Sequence, residues 1–153
     1  MAKPVSGDPV QIYGWREHVV IKGAPESVIA KLDTGARTSS IHVEKDELFE
    51  RDGRKWVRFI FTDPTREKSF RVKIEAPLVR IVDIKEPGAK SVPREVVKLG
   101  IKIGERQLTG EFTLNNRNNM LAPVLIGRTL LQELGLVDPG RTHLAEKKIM
   151  SSR

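Results

Sequence analysis

The chain has 153 residues, 39% of them hydrophobic and 31% charged, which suits one globular domain with a buried core and excludes a disordered chain. It contains no cysteine, which excludes disulfides, thiol catalysis and thiolate metal sites. The net charge of +7 attracts polyanions, but the 27 basic residues are spread along the chain with no block of five or more, so a nucleic-acid-binding arm is not expected.

Residues 1–9 carry two prolines and a glycine and read as a flexible tail. They hold no apolar stretch of the kind a secretory leader needs. No apolar run approaches the roughly 18 residues of a membrane span, so no membrane partner is expected and a cytoplasmic location is the default. Val28 to Leu32 is a mostly apolar strand running into Asp33. Trp56 to Phe61 reads as a second strand. Phe70, Val72 and Ile74 alternate with charged residues, as do Leu99, Ile101 and Ile103 with Gly100, Lys102 and Gly104. Leu108, Phe112 and Leu114 continue the period of two. Turn chemistry separates these runs at Asp52-Gly53, Asp63-Pro64, Pro87-Gly88, Gly104-Glu105 and the Asn115–Asn119 cluster. Only Arg128 to Leu134 reads as a helix, stopped by Gly135. Many short strands and one short helix predict an all-β barrel or sandwich. It should span residues 10–145, followed by a polar tail over 146–153.

"KLDTGARTSS", residues 31–40, stands out. Gly35 lets the chain turn sharply, and the Thr34 hydroxyl can tie the loop down. Such a loop can hold Asp33 rigidly while presenting it to a cleft. An ordinary Asx turn has the same composition. A second segment, "PVLIGRTLLQELG" at 123–135, adds an apolar strand ending at Gly127 and a helix starting at Arg128.

Together, in this order and spacing, the two segments resemble the retropepsin-like aspartic peptidases. The resemblance narrows on "YGWREHVVI" (13–21), "KLDTGARTSSIH" (31–42), "LIGR" (125–128) and "LVDPGRTHL" (136–144), which look like the bacterial RimB-like group, also described as ATP-dependent zinc proteases. The group is linked to ligases that add glutamates to a ribosomal protein. The resemblance implies a retropepsin-like acid-protease barrel with one short C-terminal helix. It implies an aspartic endopeptidase that hydrolyses peptide bonds in acidic, polyglutamate-like tails, with a glutamylated protein such as a ribosomal protein tail as substrate. Asp33, Thr34 and Gly35 take the catalytic-loop roles. Ile126 and Gly127 let the second strand pack beside that loop. Ala36, Arg37, Thr38, Arg80 and Arg128 become the candidate substrate-binding residues.

The chemistry needs two carboxylates sharing one proton, one as base on a water and one as donor to the scissile carbonyl. The chain has a single Asp-Thr-Gly, so the dyad must come from two copies, and a homodimer is required. Where many viral retropepsins carry an acid four positions after the catalytic Asp, this chain has Arg37. Arg37 beside Arg128 would favour an anion between them, such as a substrate carboxylate. Alternatively, Arg37 pairs with Glu44 or Asp138, or points to solvent. Arg80 lies in the segment that corresponds to the flap, with Lys85, Lys90 and Arg94. Arg117 sits in the Asn-rich turn.

No cofactor is expected. There is no phosphate-binding Gly-rich loop and no His-Glu-x-x-His. His18, His42 and His143 are the only histidines; His42-Val43-Glu44 offers two donors on one strand, and no third follows from spacing, so no metal site is assigned. A function of another class remains open: a non-catalytic basic module that grips acidic peptides or RNA on the same fold.

Overall fold

Alternating side chains set two faces on each strand, and burying one face of every strand curls the sheet around a single core. The computed structural model describes residues 10–85, 88, 90–116, 122–147 and 150–151. In chain order the elements are β1 (Val10–Gly14), β2 (Arg16–Ile21), β3 (Val28–Leu32), β4 (Ser39–Arg51), β5 (Arg54–Thr62), β6 (Arg71–Ile84), β7 (Val92–Ile103) and β8 (Arg106–Asn115). Then follow β9 (Val124–Ile126), α1 (Arg128–Leu134), β10 (Leu136–Asp138), a 3₁₀ turn (Ala145–Lys147) and β11 (Met150–Ser151). The expected all-β fold with one short C-terminal helix is present.

Eight strands form one sheet in the order β2-β3-β9-β4-β5-β6-β7-β8. Further pairings of β2 with β7 and of β4 with β8 close it on itself, leaving few unpaired edges. Tyr13, Ile21, Ile41, Phe59, Phe61, Ile103, Phe112, Leu114 and Ile126 are fully buried inside. Alternation is clean on β7, where Leu99, Ile101 and Ile103 point in while Lys98 and Lys102 are exposed. A smaller sheet, β10-β1-β11, lies beside the first. Within it, Val10 pairs with Ser151 and Gln11 with Met150, so this part of the C-terminal segment returns to its own chain. Among the described residues no helix is long and apolar enough to cross a membrane.

Two features position the site. First, β9 is inserted between β3 and β4: it runs parallel to β3 (Leu32 opposite Ile126) and antiparallel to β4 (Ile41 opposite Val124). The loop joining β3 to β4 must therefore arch over the end of β9. Second, α1 is held by packing rather than by caps. It has no side-chain N-cap bond and no acid in its first turn, yet Leu130, Leu131 and Leu134 are buried. Gly110 on β8 makes room for it, since a Cβ there would lie 2.7 Å from Leu130 Cδ1. The helix stops at Gly135, whose φ of 151° suits glycine.

β6 and β7 form a long hairpin, paired out to Ile84 and Val92. A bulge between Leu78 and Arg80 bends it. Val79 in the bulge and Ile81 just beyond it are exposed, so the outer half stands away from the core. Pro87 of the Pro87-Gly88 turn lies outside the described residues, as do Arg117, Asn118 and Asn119 of the asparagine-rich turn and the 1–9 tail.

Candidate active site

Asp33 sits where β3 ends, and its own backbone is tied to the neighbouring strand. Its N–H donates to the Ile126 carbonyl at 2.9 Å, one residue beyond the β3–β9 ladder. The turn then folds on the side chain: Gly35 N–H donates to Asp33 Oδ1 at 2.9 Å, and Ala36 N–H to the Asp33 carbonyl at 3.2 Å. This is the Asx-turn geometry expected of Asp-Thr-Gly. It serves here to fix a half-buried carboxylate at the loop rather than to end a strand in solvent. Thr34 and Gly35 are exposed.

The second segment locks the far side of the loop. Arg128 N–H donates to the Ala36 carbonyl at 2.8 Å, and Thr129 N–H to the Arg37 carbonyl at 3.2 Å. Gly127 N–H donates to the buried Ser39 Oγ at 3.0 Å, and Arg128 Nη1 reaches back to the Thr34 carbonyl at 3.1 Å. Gly127 is required by contact: a Cβ would stand 2.5 Å from the Thr38 carbonyl oxygen and 2.9 Å from that of Ala36. Residues 33–38 and 126–129 are thus one hydrogen-bonded unit built from segments far apart in the chain. No second carboxylate bonds Asp33 among the described residues.

Beside this unit lies a cavity of about 610 Å³, lined by Arg37, Thr38, Arg80, Lys98, Glu111 and Glu133 among others. The structure divides the candidate substrate-binding residues. Arg37, Thr38 and Arg80 line the cavity, whereas Ala36 and Arg128 belong to the loop lock. The backbones of Arg37 and Arg128 are adjacent, but the Arg128 guanidinium is engaged with Thr34. Arg80 is also engaged: its Nη1 donates to Glu111 Oε1 at 2.8 Å. The Arg37 guanidinium is exposed and has no partner among the described residues. The two acids considered for it are used elsewhere, Glu44 by Arg71 at 2.7 Å and Asp138 by Arg141 at 3.6 Å.

The histidines fall differently from the spacing argument. His42 is buried, and the Glu44 next to it on β4 pairs with Arg71. Instead His18, His143 and Glu146 come together, with one potential ligand atom from each lying within 4.8 Å of the others. Sequence reasoning missed this group because His18 lies more than 120 residues from His143 and Glu146. It also missed Glu17, fully buried on β2, which accepts N–H bonds from Gly14 (2.5 Å), Leu144 (2.9 Å) and Ala145 (3.2 Å). One signal for Glu17 was available: it occupies the inward register of Val19 and Ile21, where an acid demands donors.

A family model described as retropepsin-like aspartic endopeptidase RimB matches residues 12–148. A protein of Shewanella pealeana named probable alpha-L-glutamate ligase is 32% identical over 126 residues, covering 82% of this chain and 27% of that protein. One of the same name from Desulfotalea psychrophila is 31% identical over 113 residues, covering 74% and 24%. The chain therefore spans about a quarter of the length of these curated relatives. A crystal structure of a protein of unknown function from Legionella pneumophila superposes with a TM-score of 0.76 at 33% identity, covering 88% of this chain and 98% of that one. The Asp33 loop with its Gly127 lock, the closed β architecture and the match across 12–148 place this chain in the RimB-like family of retropepsin-like proteins.

Proposed function

We propose that the protein is an aspartic endopeptidase whose dyad forms from the Asp33 carboxylates of two copies. The observation that carries this reading is the rigid Asp33 loop, held on both sides by Ile126, Gly127 and Arg128. A carboxylate fixed this way meets its mate across a two-fold axis without reorganisation. The pair shares one proton, because two adjacent carboxylates do not both ionise cheaply. The ionised member takes a proton from a water, the water oxygen bonds to the scissile carbonyl carbon, and the protonated member donates to the carbonyl oxygen. The resulting diol collapses with transfer of a proton to the leaving amine.

The proposed substrates are acidic peptides, oligoglutamate tails above all. Arg37 supplies an exposed, unengaged guanidinium on the cavity beside the loop, suited to a side-chain carboxylate. The relatives named glutamate ligases carry a segment like this chain within a much longer protein. A hydrolase that removes glutamates is the chemical counterpart of a ligase that adds them.

The test compares wild type with Asp33→Asn on oligoglutamate and neutral peptides, with products identified by mass. Wild type should cleave the acidic series, and the variant should lose at least ~10³-fold in rate while keeping its fold and oligomeric state. Turnover by Asp33→Asn at the wild-type rate would sink the proposal. Binding of acidic peptides without any cleavage would instead favour the non-catalytic module.

A further inference from the structure

His18 on β2 and Glu146 in the 3₁₀ turn are 128 positions apart and bond directly through Nδ1 and Oε1. His143 Nδ1 lies 3.5 Å from the same oxygen. The two imidazoles stack with centroids 4.6 Å apart and planes at 26°. His143 Nδ1 is itself buried and has no hydrogen-bond partner, an unsatisfied polar atom that calls for a reason. The backbone around it is fixed. His143 is held at a φ of 55° with its N–H on the Arg16 carbonyl at 2.9 Å, and Glu17 ties down Leu144 and Ala145 beneath it.

We propose that His18, His143 and Glu146 form a binding site for a divalent transition-metal ion of the zinc class. The donor set decides the class, since two imidazoles and one carboxylate suit zinc-like ions and not the all-oxygen preference of magnesium or calcium. Size also fits. Ligand atoms about 2.0–2.2 Å from one tetrahedral ion lie roughly 3.4 Å apart, close to the 3.5 Å between His143 Nδ1 and Glu146 Oε1. All three ligand atoms lie within 4.8 Å of one another, and the direct His18–Glu146 bond has to open to admit the ion. A metal would also use the orphaned His143 nitrogen, which the His18–Glu146 bond leaves over.

The site's consequence is structural. It joins β2 to the segment that follows β10 and so fastens residues 143–146 to the barrel. It lies away from the aspartate chemistry: His18 faces Ile29 across the β2–β3 ladder, four residues short of Asp33, or about 13 Å along a strand.

The experiment uses the tag-free full chain, stripped with chelator and titrated with zinc and with cobalt(II). The expected result is one bound ion per chain, a tetrahedral cobalt absorption band, and a rise in Tm of several degrees at about 100-fold excess over Kd. His18→Ala and Glu146→Gln, both at exposed positions, should remain folded and lose the band and the shift. Asp33→Asn should retain both, which separates this inference from the proposed peptidase activity. No ion bound by wild type, or equal binding by both site variants, would overturn it and leave the cluster as a His18–Glu146 ion pair beside a stacked ring.

Discussion

At the residue scale, the candidate site depends on what is small as much as on what is charged. Gly127 passes beneath the Asp33 loop with no space for a methyl group, so Gly127→Ala must push the Thr38 carbonyl away. We expect a cost of about 1–3 kcal/mol, seen as a lower urea midpoint, with a larger loss of cleavage than of stability because the shifted loop carries Asp33. The two arginines on the cavity should differ. Arg37 is unengaged, whereas Arg80 is held by Glu111. Arg37→Ala should therefore raise KM for acidic peptides several-fold and leave neutral ones nearly unchanged, and Arg80→Ala should change the acidic preference less. Equal losses on both peptide classes for Arg37→Ala would argue against a substrate carboxylate at that position.

At the element scale, a carboxyl pair links β7 of the β6–β7 hairpin to β4. Lys45, at a φ of 53°, lies within the β4 irregularity between Glu44 and Glu47, and the same irregularity contains Asp46. Glu95 on β7 hydrogen-bonds Asp46. Burial first, and then this bond, push the Glu95 carboxyl up to about 7 from an ordinary 4.5. The folded state thus keeps a proton that the unfolded chain releases. The pair's contribution is therefore fully present below about pH 4.5 and is lost as the pH rises through about 7. Unfolding midpoints should fall between pH 5 and pH 8 in wild type. Glu95→Gln, which keeps a hydrogen-bonding group but does not titrate, should flatten that fall; an unchanged slope would assign it to other groups.

At the scale of the whole molecule, one chain supplies one carboxylate, and the proposed activity belongs to a pair of chains. Mixing wild type with an equal amount of Asp33→Asn gives a direct measure. With random exchange about half of the wild-type chains pair with a variant, so the rate per wild-type chain should fall by about half. An unchanged rate would mean that a single chain is sufficient. The net charge of +7 gives a field that attracts polyanions in general and weakens with salt, so cleavage of acidic peptides should slow as ionic strength rises.

Local pattern was enough for much of this protein. Residue types in order determine α1 between Gly127 and Gly135, because an apolar stripe and a stop signal act within a few positions. They likewise determine the strands with clean alternation, and the Asp33 turn, whose bonds run between near neighbours. The 13-residue β4 was not legible, since its outer half carries charges on both faces. Closure of the sheet, the insertion of β9 between β3 and β4, and the meeting of His18 with His143 and Glu146 were decided only in the folded chain. Each depends on register between segments distant in sequence, which local propensity does not encode. Arg37 illustrates the division. Its charge is written in the sequence, but its lack of an acidic partner among the described residues follows from the folded chain, which gives Glu44 to Arg71 and Asp138 to Arg141.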